Sequence, residues 1–225
     1  MSDTSVPTIG YYKTRGLAQP IRLLLAYKGV KFIDKYYGNF GDKNLDDNPA
    51  DWLADKTILG LEFPDLPYYI DGPLKLTQST AIMRHLARKH GLMATDETGL
   101  GRQDLLEQQL LDIRMGIIVN NGVNHGYDTV IAQHIIAGRS PQLDRLSRFL
   151  GARQWFTGNC INYVDFLAYE VLDWLRLFST GTVDEYQNLC QFMVRFESLP
   201  PIKAYMKSSE FISWPVFPPK APWLQ

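Results

Sequence analysis

The chain has 225 residues, 45% hydrophobic and 21% charged, a globular balance that excludes a disordered or collagenous protein. Its 23 Lys and Arg against 24 Asp and Glu leave a net charge of −1 with no basic block, so the electrostatic footprint of a nucleic-acid binder is missing. No apolar run approaches a membrane span, Met1–Pro7 lacks the pattern of a secretory leader, and the two cysteines, Cys160 and Cys190, cannot staple so long a chain; a cytoplasmic protein with reduced thiols and no membrane partner is expected.

Thr8–Lys13 reads as a strand and Leu17–Tyr27 as a helix, with Pro20 tolerable only in its first turn. Lys31–Tyr37 alternates like a second strand. Gly38–Pro49 is a polar loop, and Asp51–Lys56 forms a short helix. Leu66–Ile70 leads into a third strand, Asp71-Gly72 signals a hairpin turn, Leu74–Thr77 returns, and Ser79–His90 is a helix that Gly91 stops. The order is βαβ then ββα, a small mixed sheet covered by helices.

Beyond Gly91 the strand signals fade. Gln103–Asn120 carries Leu106, Leu110, Ile113 and Ile117 at helical spacing, and Pro141–Leu150, Val164–Phe178 and Leu189–Phe196 behave alike. Asn162 is placed to cap the helix that follows it, with Asp165 reaching back from the third position. Pro200–Lys207 reads as one more short helix, and the proline-rich tail from Trp214 lies over the surface. Two domains are expected: residues 1–90, α/β, and residues 91–225, all-helical.

The four histidines, His85, His90, His125 and His134, form neither HExxH nor a zinc spacing, so no metal is expected. There is no phosphate loop and no GxSxG elbow, and the GLG at 99–101 lacks the rest of a dinucleotide fingerprint. Four local features remain, each with a bland reading. Tyr11 and Tyr12 end a strand, where aromatics are ordinarily core, but strand C-termini beside helix N-termini are also where α/β folds bind ligands. Leu66-Pro67 opens a strand, and a proline there is either a turn or a cis bond that presents its neighbour's backbone. Ser79 is an N-cap, or its helix start grips a carboxylate. Trp52 and Lys56, one helical turn apart, are an exposed pair or a second carboxylate hold. Together the functional readings describe a short acidic peptide running along a strand edge, with Tyr11 facing its middle.

The motifs are similar to those of mu-class glutathione S-transferases. Residues 10–17, GYYKTRGL, resemble the family's GYWxxRGL; residues 59–72, LGLEFPDLPYYIDG, resemble LGLxFPNLPYxIDG; LTQS at 76–79 resembles ITQS, and RKH at 88–90 ends the family's ARKH. WFTGN at 155–159, VDF at 164–166 and YMKSS at 205–209 continue the match in family order. The resemblance implies a thioredoxin-like domain followed by a helical domain, a homodimer, and transfer of the glutathione thiol to hydrophobic electrophiles.

Position by position, it implies that Tyr11 is catalytic and hydrogen-bonds the glutathione sulfur. Tyr12 and Leu17 would line the site, Trp52 and Lys56 hold the glycyl carboxylate, and the backbone of Leu66, before a cis Pro67, pair with the cysteinyl unit. Gln78 and Ser79 would grip the γ-glutamyl end with Asp112 of the other subunit. The electrophile is expected among Tyr12, Leu17, Arg114, Met115 and the chain near Gly122, under the tail. At the dimer interface, Phe63 is expected to be an aromatic key, with Arg84 and Arg88 near the two-fold axis and Asp104 and Glu107 as ion partners. Three positions depart from the family pattern. Asp65 replaces its Asn and brings a charge near an anionic ligand. Asn48 or Pro49 stands where a loop arginine is usual. Gly122 replaces a tyrosine that assists reactions such as epoxide opening. A non-catalytic carrier and a glutathione-dependent isomerase are the alternatives on the same fold.

Overall fold

The computed structural model describes residues 6–38, 50–122, 141–178 and 181–217. The elements are β1 (Thr8–Tyr12), α1 (Gln19–Tyr27), β2 (Ile33–Tyr37), α2 (Ala50–Ile58), β3 (Tyr68–Asp71), β4 (Leu74–Thr77), α3 (Ser79–His90), α4 (Glu97–Gly122), α5 (helical over 141–150), α6 (Tyr163–Phe178), α7 (Gln187–Glu197) and α8 (Pro200–Met206). Asn48, Pro49, His125 and His134 lie outside the described residues, and of Gly122 only its place at the end of α4 is described.

By internal contacts the described chain divides into two units. One holds the residues through His90 together with those from Pro201 onward; the other runs from Gly91 to Pro200. The sequence placed all of 91–225 in the helical domain. Residues 201–217 instead group with the first unit, where Arg15 and Gly16 donate backbone hydrogen bonds of 3.0 and 2.8 Å to the carbonyls of Pro215 and Val216.

In the first unit the strand order is β2-β1-β3-β4. β2 lies parallel to β1, while β3 and β4 run antiparallel, as expected of βαβ followed by ββα. Pro20 falls in the first turn of α1, where its missing N–H costs nothing. Ile21, Leu24, Ile82, Met83 and Leu86 are fully buried where α1 and α3 pack. Gly10 faces Tyr68 across the β1–β3 pair, and a Cβ there would fall 2.1 Å from the Tyr68 ring.

The second unit is built around α6, whose residues from Tyr163 to Leu175 are all buried. Phe196 stacks on Tyr169 and meets Phe166 of α6 edge-on, and Phe192 packs edge-on to Phe156 and tilted to Phe196. Asp96 starts α4 by accepting the Gly99 N–H at 2.9 Å, so the GLG sequence lies inside a helix rather than in a phosphate-binding loop. No helix among the described residues is long and apolar enough to cross a membrane.

The start of α6 has the reciprocal cap that its sequence predicts. Asn162 Oδ1 accepts the Val164 N–H at 3.4 Å, and Asp165 Oδ2 accepts the Asn162 N–H at 2.7 Å. Asp165 Oδ1 adds the Phe156 N–H at 2.9 Å, so one buried carboxyl ties α6 to the segment before it. Burial pushes the Asp165 carboxyl up from 3.8 to about 7, against the pull of the two N–H donors. Asp165→Ala is expected to destabilise the protein by about 2–4 kcal/mol, because two buried donors lose their acceptor. Asp165→Asn, which keeps one acceptor, should cost less. A carboxyl raised on folding stabilises most below its ordinary value and loses that contribution as pH rises toward 7. Urea unfolding at pH 5 and pH 8 should therefore show the wild type's margin over Asp165→Asn narrowing at the higher pH.

Candidate active site

The register of the sheet sets the site's position. Gly10 of β1 faces Tyr68 of β3, and Tyr68 faces Thr77 of β4. The end of β1, the entry to β3 and the exit of β4 therefore share one edge of the sheet, bringing Tyr11 and Tyr12, Leu66-Pro67, and Gln78-Ser79 to the same end.

Tyr11 is 3% exposed, and its hydroxyl accepts the Leu17 N–H at 3.1 Å. A phenol that accepts one hydrogen bond is a stronger donor of its own proton to another group. The loop comes this close because residue 16 is glycine: its φ is +40°, and a Cβ would sit 2.5 Å from the Tyr11 oxygen. The Tyr12 ring lies 5.3 Å away, edge-on. Burial first, then Tyr11 and Asp65, pushes the Tyr12 phenol up to about 12, so it stays protonated at neutral pH.

The loop between β1 and α1 is held from below by Arg22, a fully buried residue of α1. Its Nη1 donates to the Thr14 carbonyl at 2.7 Å and its Nη2 to the Tyr12 carbonyl at 3.4 Å. Its Nε and Nη2 bind the two oxygens of Asp34 on β2, at 2.7 and 3.2 Å.

On α2, Trp52 is turned into the core. It stacks on Tyr68 with centroids 6.2 Å apart and meets Tyr37 edge-on at 5.4 Å. The Tyr37 hydroxyl donates to Asp55 at 2.5 Å and lies 2.9 Å from the Tyr68 hydroxyl, while Lys35 pairs with the same Asp55. This cluster locks α2 to the sheet and leaves Lys56 exposed, with no ion pair among the described residues.

Leu66-Pro67 is cis, one of the two forms its sequence allowed. The Leu66 N–H is taken by the Asp65 carboxylate at 2.8 Å, so Asp65 does not simply project its charge into solvent. Gln78 has φ 68°, a left-handed conformation rare outside glycine and costly unless the surroundings impose it. Its carbonyl accepts the first helical bond, from the Ile82 N–H at 3.0 Å. Gln78 therefore occupies the cap position assigned to Ser79, which is the first residue of α3.

In the helical unit, Asp112 and Asp104 are exposed and Met115 is 44% exposed. Arg114 is 2% exposed, its guanidinium 5.6 Å from the centre of the Trp174 ring. Glu107 differs from the surface ion partner that the resemblance implies: it is 1% exposed and accepts the Tyr163 hydroxyl at 2.6 Å. In the first unit, Phe63 is 73% exposed, Arg88 is exposed and Arg84 half-buried. Among the described residues no group of three or more His, Cys, Asp or Glu is placed to hold a metal ion. Burial holds His85 and His90 below the ordinary histidine range, and neither lies at the Tyr11 edge.

The sequence reading missed Arg22, Gly16 and the Tyr37–Asp55 contact. An arginine inside the apolar run IRLLL was the available signal for the first, since a charge there demands a buried partner.

Residues 7–88 match the family described as glutathione S-transferase, N-terminal domain, and residues 135–209 match glutathione S-transferase, C-terminal domain. Glutathione S-transferase Mu 1 of Oryctolagus cuniculus is 47% identical over 216 residues, covering 96% of this chain and 97% of the relative. Glutathione S-transferase Mu 2 of Mus musculus is 45% identical over 217 residues, with 96% and 97% covered. Among solved structures, the glutathione S-transferase Blo t 8 aligns with a TM-score of 0.77 and 36% identity, covering 96% of this chain and 97% of that one. The Pi-class glutathione S-transferase of Onchocerca volvulus aligns at 0.81 and 27%, covering 95% and 98%.

Removing Arg22 tests how far the loop depends on it. Arg22→Leu leaves the Asp34 carboxylate with only the Tyr36 hydroxyl, orphans two backbone carbonyls, and is expected to destabilise the protein by about 3–5 kcal/mol. Arg22→Lys keeps the charge but not the forked geometry and should recover only part of that loss. Thermal or urea unfolding of the two variants beside the wild type measures both.

Proposed function

Because the chain belongs to the glutathione S-transferase family, with its curated relatives in the mu class, and is an enzyme that joins glutathione to hydrophobic electrophiles, we propose that Tyr11 carries the chemistry. One observation supports this above the others: the Tyr11 hydroxyl accepts the Leu17 N–H at the sheet edge shared with Leu66-Pro67 and Gln78-Ser79. Accepting that N–H polarises the phenol and strengthens it as a donor toward the sulfur of glutathione. That bond favours thiolate over thiol and lowers the thiol pKa from about 8.5. The thiol proton leaves to solvent. The sulfur then forms a bond to the electrophilic carbon, and the leaving group departs with the electrons of the bond that breaks. No covalent enzyme intermediate is required, and the remaining acceleration comes from proximity.

The rest of the site grips the peptide. Lys56, exposed one helical turn from the buried Trp52, holds the glycyl carboxylate. The backbone at Leu66, presented by Pro67, meets the cysteinyl unit. Gln78 and Ser79 hold the γ-glutamyl end at the start of α3, where free N–H groups favour an anion; Asp112 of a second subunit completes it. Tyr12 and Leu17 line the electrophile side of the site. The protein acts in the cytoplasm as a homodimer. The support for the dimer is Phe63, a large apolar side chain left 73% exposed in the single chain. Arg84, Arg88 and Asp104 complete that interface.

Two experiments test the reading. Tyr11→Phe is expected to slow conjugation by about 10²–10³-fold and to raise the bound thiol's pKa, with glutathione KM nearly unchanged. Tyr12→Phe should do much less, and equal behaviour of the two variants would overturn the assignment. For assembly, sedimentation should show a wild-type dimer at micromolar concentration. Phe63→Ala, removing the same key twice across the two-fold, should raise its dissociation constant by roughly 10²–10⁴-fold.

A further inference from the structure

Three consecutive backbone donors run from the turn after β1 to the Tyr11 hydroxyl. The N–H of Leu17 donates to the hydroxyl at 3.1 Å. The two before it, on Arg15 and Gly16, donate to the carbonyls of Pro215 and Val216 at 3.0 and 2.8 Å. Thr14, Arg15 and Gly16 are all buried, so water offers these donors no ready alternative. Val216 is fully buried and Pro215 is buried beside it, which anchors the two accepting carbonyls although Trp214 next to them is 57% exposed. Gly16 lies so close to the phenol that a Cβ on it would sit 2.5 Å from the oxygen. Any shift of the 15–16 backbone is therefore felt at the hydroxyl and at the next amide, that of Leu17.

We infer that the segment Pro215–Val216 is a positioning element for catalysis: its two carbonyls hold the Arg15–Gly16 turn in the place from which Leu17 polarises Tyr11. The residues concerned touch no substrate. They act through Tyr11, and the inference rests on the thiolate-stabilising role proposed for it. A buried turn with two satisfied donors is stiff, whereas the same turn with two orphaned donors must move to reach water. Pro215 and Val216 thereby tune an acid placed about two hundred residues earlier.

The test uses the full-length dimer and glutathione itself. Val216→Ala removes the anchoring side chain without touching a carbonyl, Val216→Thr keeps its shape but adds a hydroxyl, and Val216→Ile keeps an apolar β-branched anchor one methylene larger. The bound thiol's pKa is read from thiolate absorbance against pH, and exchange of the Arg15 and Gly16 amides from hydrogen-exchange rates. Val216→Ala is expected to speed exchange of both amides, to raise the bound thiol's pKa by about half a unit to one unit, the size of one weakened hydrogen bond, and to lower kcat more than it changes glutathione KM. Val216→Thr should shift the same readings less, and Val216→Ile should read as wild type. Leu189→Ala, in the fully buried core of the helical unit, is the control for general loosening and should leave the thiol pKa alone. An unchanged thiol pKa in Val216→Ala and Val216→Thr, or an equal shift in Leu189→Ala, overturns the inference. A wild type whose bound thiol titrates like free glutathione overturns instead the role of Tyr11, so the two failures are distinct.

Discussion

A buried guanidinium organises the first unit. Arg22 has no exposed surface, and a charge in that position is tolerable only if every part of it is answered. Asp34 on β2 supplies the countercharge, and the carbonyls of Tyr12 and Thr14 with the Gln19 side-chain oxygen take the remaining donors. One side chain thus joins α1, β2 and the loop between β1 and α1. Its demands are geometric as well as electrostatic, because the planar fork accepts partners only in certain directions. The loop that carries Tyr11 and Tyr12 into position takes its path from those directions.

The reactive edge is made largely of backbone. Leu17 contributes an amide, Gly16 an absence of side chain, Leu66 an amide already engaged by Asp65, and Gln78 an unusual φ with a carbonyl that opens α3. Side chains with obvious chemistry are few there, which is why no motif built on histidine, cysteine or paired carboxylates was present to be read. The edge works by arranging ordinary peptide groups around one phenol.

That balance explains what the sequence disclosed. Element types followed from periodicity, and α3 begins and ends at Ser79 and His90 as expected, since Gly91 supplies the positive φ that stops it. The cap of α6 was legible because Asn162 and Asp165 stand at the required spacing. Trp52 and Lys56 were legible as a pair but not in their orientations: helical spacing puts them on one face, yet the aromatic cluster of Tyr37 and Tyr68 draws the indole inward and leaves the ammonium outside. Ser79 was read as a cap because its type prefers that place, and the positive φ of Gln78, set by tertiary context, moved the cap by one residue. The return of residues 201–217 to the first unit left no local trace, because it depends on carbonyls, which every residue has.

The return of the chain end also bears on the order in which the protein is made. A ribosome releases β1, α1 and the rest of the first ninety residues long before Pro215 and Val216 exist. Until then the N–H groups of Arg15 and Gly16 have no acceptor from the tail, and the turn against Tyr11 is incomplete. The helical unit, assigned to Gly91–Pro200 among the described residues, is synthesised before these two carbonyls. The nascent chain therefore finishes its first unit last, and a product cut short near its C-terminus would contain every residue of the reactive edge while lacking the two carbonyls that close it.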